Sequence, residues 1–276
     1  MRSARAPLAT VLTAERAAPH RPTEDRIFLT DDAVVVLDGA SQPESNELDG
    51  GWMADTLGRE LQSRLASGHD DLVAIVSDAI ADVAHRHNLA PGASPSTTVS
   101  IVRWTEADVD VLVLGDSPVV AHTVDGDILQ IRDQRLQRVG AEQRKSLKAA
   151  PSSHRDVEHR RSWRTLVETE RANRNKLGGY WIAEAVPEAA SHARRTGWKR
   201  HDVAELLVMT DGVSAGVDRY GIPPDWPTAF ALASHDPAEL VEMVHNAERS
   251  DPECARWPRT KPYDDKAVAH VRFDHR

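Results

Sequence analysis

Short, densely apolar runs alternate along this chain with stretches in which apolar residues recur every three or four positions. "IFLTDDAVVVL" (27–37) predicts two strands around the polar turn Asp31-Asp32. In 47–66, Trp52, Leu57, Leu61 and Leu65 follow helical spacing. In 71–89, Leu72, Ile75, Val76, Ala79, Ile80 and Val83 fall on one helix face, and Pro91, Gly92 and Pro95 then break the helix. A strand-rich block follows at 97–104, 109–117, 118–124 and 127–131, with Asp125-Gly126 as a tight hairpin turn. Residues 132–175 are charged and poor in large apolar groups, which predicts an exposed helical insert or a mobile flap. "AELLVMTDG" (204–212) reads as a buried strand, helices follow around 226–234 and 237–249, and "KAVAHVRF" (266–273) is a last strand. Strands and helices are segregated, so the expected class is an α+β layered fold with largely antiparallel sheets. One domain over 1–276 is expected, with 1–18 an N-terminal extension and 132–200 a variable insert.

Composition narrows the function more than the fold. The net charge of -9 argues against nucleic acid as a partner, which calls for a basic face. Cys254 is the only cysteine, so neither an internal disulfide nor a cysteine zinc site can form, and a reducing compartment is expected. The N-terminal stretch lacks the apolar core of a signal peptide, and no apolar run is long enough to span a bilayer. These features give the expectation of a soluble cytoplasmic protein without a membrane partner.

The acidic residues change the picture. Glu24-Asp25 precedes a strand, Asp38-Gly39 ends the next, Asp116 and Asp211-Gly212 end two more, and Asp264-Asp265 precedes the last. Asp-Gly is also an ordinary turn dipeptide. Repeated at so many strand ends, however, the pattern mounts carboxylates on the edges of a rigid sheet. If those edges converge, the carboxylates repel one another unless cations neutralise them. Oxygen donors without His or Cys suit Mg²⁺ or Mn²⁺.

The ordered set "TED", "VVVLDGA", "STTVSIV", "VLGDSPVV", "LLVMTDGV" and "YDDKAVAHV" resembles the metal-dependent PPM (PP2C-type) serine/threonine protein phosphatases, over roughly Glu24 to Val271. The resemblance implies a four-layer α-β-β-α sandwich with a site for two Mn²⁺ or Mg²⁺ ions at one end. By motif, Asp38 bridges both metals, Gly39 offers its carbonyl, Glu24 serves the second metal, and Asp211 and Asp264 serve the first. Asp25 supports the site, and Asp116 matches the acid of a third, weaker metal. Arg21 is the candidate phosphate-gripping residue, and His20 a candidate proton donor to the leaving group. A phosphoprotein is the implied substrate, with a serine/threonine kinase or its targets as the wider partners.

Several positions depart from the family pattern. "DGASQP" lacks the usual glycine pair, Ala215 replaces an acid of the third metal with Asp218 three residues further on, and Asp264-Asp265 stands where Asp-Asn is usual. The alternative reading is therefore a catalytically weak or inactive regulatory or binding module of the same fold. A carboxylate-metal hydrolase on another fold would not explain the ordered motifs. The scattered tryptophans read as packing residues, "HRRSWR" (159–164) as a solvated helix face, Ser117 as a turn residue, and His85 and His87 point apart on a helix.

Overall fold

The computed structural model describes residues 8–41, 48–68, 71–149 and 157–274. Ten strands form two five-stranded sheets. β1 (Ala9–Arg16), β10 (Lys266–Phe273), β9 (Val203–Met209), β6 (Val119–Thr123) and β7 (Ile128–Ile131) lie in that order in one sheet. β2 (Asp25–Leu29), β3 (Ala33–Asp38), β4 (Val99–Trp104), β5 (Asp108–Leu114) and β8 (Arg194–Lys199) make the other. Every neighbouring pair is antiparallel.

The sheets are stacked, and helices cover both outer faces. α1 (Gly50–Ser67) and α2 (Leu72–Arg86) lie on the β3 sheet. α7 (Trp226–His235) and α8 (Pro237–Ser250) lie on the β9 sheet. This is the expected α-β-β-α sandwich. It also explains why "VVVL" is apolar throughout rather than alternating. Val34 and Val36 pack between the sheets, while Val35 and Leu37 pack under α1 and α2. A strand covered on both faces has no polar side to show.

Two strands lie where the apolar pattern predicts none. β1 falls inside the expected N-terminal extension and pairs along its whole length with β10, from Ala9 opposite Phe273 to Arg16 opposite Lys266. β8 falls inside the expected insert and pairs with β5. Both are edge strands, exposed in alternation or for most of their length, so their sequences are polar. The described part of 132–175 is largely helical, the first of its two expected forms, with α3 (Arg135–Arg138), α4 (Ala141–Ala149) and α5 (Val157–Asn173). It is tied down in part, since Leu147 and Leu166 are buried. The remaining short helix, α6 (Asp211–Ala215), follows β9 and runs into one turn of π-helix at Gly216–Tyr220. No helix among the described residues is long and apolar enough to cross a membrane.

Candidate metal centre

The β2–β3 ladder places Asp25 directly opposite Asp38. Two carboxylates at facing positions repel, and a sheet ordinarily avoids the arrangement. Asp25 is 1 % exposed, and its Oδ2 has no hydrogen-bond partner. Gly39 continues from Asp38 so close to the start of α1 that a Cβ there would lie 2.4 Å from the Gly50 carbonyl carbon. Its amide donates to the Glu24 carbonyl at 3.2 Å, drawing the Glu24-Asp25 segment alongside.

The other sheet supplies the opposite side. Asp211 opens α6 just after β9, and Asp264 lies just before β10. These neighbouring strands bring the two segments together so closely that a Cβ on Gly212 would sit 2.0 Å from the Asp265 carbonyl oxygen. Asp116 lies on the crossover from β5 to β6, where the chain passes from one sheet to the other. Asp38, Gly39, Asp116, Asp211 and Asp264 all line one cavity of about 760 Å³. Its far wall comes from the helical insert, through Leu136, Arg144, Trp163 and Leu166 among others.

Burial, and then neighbouring Asp265, push the Asp25 carboxyl well above the usual range. Burial and then Asp25, Asp211 and Asp264 do the same to Asp38. Asp116 is pushed up to about 7, mainly by burial and then by Asp211. Asp211 is raised by burial and by Asp264, with Arg219 and Lys261 offsetting part of the rise. Asp264 alone is held low. Burial works against its charge, but Lys261 Nζ at 3.0 Å outweighs that.

These observations fit a hard divalent cation. The donors are all oxygen, one buried carboxylate oxygen is orphaned, and the carboxylates destabilise one another as they stand. They share one volume without closing into a ligand shell, and no group of three donors is drawn together among the described residues. Repulsion accounts for this, and so do basic partners. Lys261 holds Asp264, Arg219 lies 3.8 Å from Asp211, and Arg21 holds Glu24 at 2.9 Å.

Four sequence candidates lie apart from the cavity lining: Glu24 and Asp25, which sit against Gly39 and Asp38, and Arg21 and His20. Arg21 spans Glu24 and Asp265, at 2.9 and 3.0 Å. His20 is exposed on a turn with φ 68°. Asp218, the distant substitute for the acid missing at Ala215, is held by Arg132, with one bond of 2.9 Å. Residues not anticipated as part of the site are Lys261, Arg219 and Arg144. Lys261 had one signal, a base three residues before Asp264, which suits a local ion pair. Arg219 and Arg144 reach the cavity through tertiary contacts, and their sequence surroundings carry no sign of it.

A family model described as Protein phosphatase 2C matches residues 20–246. The chain belongs to the protein phosphatase 2C family. Solved structures with the same fold include the PstP catalytic domain in complex with two manganese ions, at 14% identity, TM-score 0.56, covering 97% of this chain and 99% of that one. Serine/threonine phosphatase Stp1 from Staphylococcus aureus matches at 13% identity and TM-score 0.60, covering 96% and 95%. The PPM Ser-Thr phosphatase MsPP from Mycobacterium smegmatis, in complex with cacodylate, matches at 18% and 0.57, covering 96% and 98%. The comparison with curated proteins gives no match. In this PP2C chain, then, the acidic cavity lies at one end of a sandwich shared with phosphatases whose sequences have diverged widely from it.

Proposed function

We propose that the protein hydrolyses phosphomonoesters, with phosphoserine and phosphothreonine of proteins as substrates, using two Mn²⁺ or Mg²⁺ ions. The observation that carries this is Asp38, which faces buried Asp25 across the ladder and lines one cavity with Asp116, Asp211 and Asp264. Asp38 would be shared by both ions, with Glu24 and the Gly39 carbonyl on one side and Asp211 and Asp264 on the other. Asp25 would support them from behind, and Asp116 is the candidate for a weaker third ion. Ions so held supply Lewis acidity and a water of lowered pKa.

The protein's own groups do the remaining work. Asp25 and Asp38 lie within strands and Asp116, Asp211 and Asp264 lie just beyond strand ends, so the two sheets preorganise the site. Arg21 fixes the Glu24 carboxylate, helped by the Ser41 hydroxyl donating at 2.5 Å. The insert walls the cavity and excludes part of the water around a bound phosphate. His20, exposed beside this region, would have to turn inward to protonate a leaving alkoxide, which water entering the cavity can do equally well. A kinase that phosphorylates the same substrates is the implied biological counterpart.

The basic partners on Asp264, Asp211 and Glu24 favour a second reading, a domain of the same fold that binds without turnover. One experiment separates the two. Turnover of p-nitrophenyl phosphate and a phosphothreonine peptide is measured with added Mn²⁺, after EDTA, and for Asp38→Asn and Asp211→Asn. Phosphatase chemistry predicts loss on EDTA, recovery with Mn²⁺, and a fall of at least about 10²-fold in each variant. Full activity in either variant would end the two-ion reading. A wild-type protein that neither turns over substrate nor binds Mn²⁺ would establish the binding module.

A further inference from the structure

We infer that Lys261 is the side chain that grips the substrate phosphate, an assignment that rests on the phosphatase reading and names the residue that reading leaves open. The argument starts from Arg21. Its Nη1 bonds Glu24 Oε2 at 2.9 Å and its Nη2 bonds Asp265 Oδ2 at 3.0 Å. Asp265 is 4 % exposed and also accepts from the Ala18 amide at 2.7 Å and the Glu24 amide at 3.1 Å. If Arg21 swung toward a phosphate, a buried carboxylate would lose its only charged partner among the described hydrogen bonds. Breaking such a pair is strongly unfavourable. The carboxylate at 265 therefore anchors Arg21 beside Glu24.

Lys261 is placed differently. It lines the cavity together with Asp38, Asp211 and Asp264. Its Nζ bonds Asp264 Oδ1 at 3.0 Å and lies 3.4 Å from the Ser41 hydroxyl. An ammonium has three donors on a flexible stem, so it can keep one carboxylate oxygen and still present N–H groups to a phosphoryl oxygen. The backbone that carries it is fixed. Arg259 donates from Nε and Nη2 to the Pro262 carbonyl, at 3.1 and 3.0 Å, and is itself paired with buried Asp251 at 2.8 Å. The side chain can thus turn while its Cα stays in place.

The cavity wall carries three other cations, Arg144, Lys145 and Arg219. Arg144 is bound to the Leu136 and Val139 carbonyls and to Glu170. Arg219 lies 3.8 Å from Asp211, and Lys145 is exposed on α4 of the insert; among the described contacts of these four cations, only that of Lys261 reaches the Asp264 carboxylate.

The test uses Lys261→Met, Lys261→Arg and Arg21→Met in the full chain. Two readouts are taken: inhibition of p-nitrophenyl phosphate turnover by inorganic phosphate, and calorimetric binding of inorganic phosphate to the Mg²⁺-loaded protein, which needs no turnover. Lys261→Met should weaken phosphate by about tenfold in both and raise KM, the size expected for one charge-assisted bond, and Lys261→Arg should restore part of it. Arg21→Met, measured at saturating Mg²⁺, should shift phosphate affinity by less than about twofold and act instead on stability and, through Glu24, on Mg²⁺ affinity. Unchanged phosphate affinity in Lys261→Met, or its loss in Arg21→Met alone, overturns the assignment. Wild-type protein that binds phosphate through Lys261 without turning over substrate upholds it and refutes the phosphatase reading. Wild-type protein that turns over substrate but binds no phosphate overturns the assignment alone, and wild-type protein that does neither overturns both.

Discussion

Asp25 and Asp38 are placed where folding alone would not put them. Facing carboxylates on neighbouring strands, one of them nearly sealed from water, oppose folding of the metal-free protein. Asp25→Asn should therefore stabilise that form, by up to about 1 kcal/mol, while reducing the stabilisation that Mn²⁺ provides. Denaturant melts with EDTA and with Mn²⁺ check both halves, and a destabilised variant in EDTA would contradict the account. Asp116 extends the argument to pH. Its folded pKa, about 7, lies above its unfolded value, so the folded state holds the extra proton between them. Its contribution is therefore present at low pH and lost as pH rises toward 7. His245 acts in the opposite sense, since burial and then nearby Arg16 lower it to about 4, and its contribution fades as pH falls from its usual value toward that point. Comparing wild type with Asp116→Asn cancels the His245 effect. In EDTA, stability of the wild type relative to this variant should decline from pH 5 to 7.5, and a flat difference would contradict it. At this scale the sequence was informative about the acids, because strand-end Asp-Gly pairs are local signals. It was silent on Arg219 and Arg144, whose neighbours in the fold are far away along the chain.

Single elements hold the site through connections that sequence patterns barely mark. The segment from the end of α8 to β10 carries Lys261 and Asp264, and Asp251 organises its start. The Asp251 carboxylate accepts from the Ala255, Arg256 and Trp257 amides and pairs with Arg259. Those bonds overcome its burial and hold its pKa at about 2. Asp251→Ala should cost about 3–5 kcal/mol, because Arg259 would stay buried without its carboxylate, and should weaken Mn²⁺ binding as Asp264 loosens. Thermal unfolding and Mn²⁺ titration of the variant measure the two effects. Helices and central strands were legible here because their apolar positions repeat, as along α2 and in "VVVL". Edge strands were not. β1 reads "ATVLTAER" and β8 reads "RRTGWK", and with one side or one edge open to water neither needs a continuous apolar pattern. The insert was legible as helical but not as a cavity wall, since Trp163 and Leu166 gain that role only when the helices fold back over the carboxylates.

Across the whole molecule, the carboxylates come from both sheets and converge only when the sandwich is complete. The unfolded chain scatters them over more than two hundred residues, so a divalent cation should favour the folded state strongly. Mn²⁺ at about a hundred times its dissociation constant should add about 2.7 kcal/mol, read as a rise in melting temperature that EDTA reverses. No rise at saturating Mn²⁺ would leave the acidic cavity without its proposed occupant. The pairing of β1 with β10 has a different consequence. Residues 8 and 274 emerge side by side, joined by a bond from the Asp274 amide to the Leu8 carbonyl at 3.3 Å. The opposite end of that ladder, Arg16 beside Lys266, is the end next to Asp264, about 26 Å away at 3.3 Å per residue. Residues 8 and 274 thus share the pole of the sandwich remote from the cavity. Linking residues 8 and 274 by a short bridge and reopening the chain at a surface turn such as Asp125-Gly126 is, on this geometry, a circular permutation the fold can absorb.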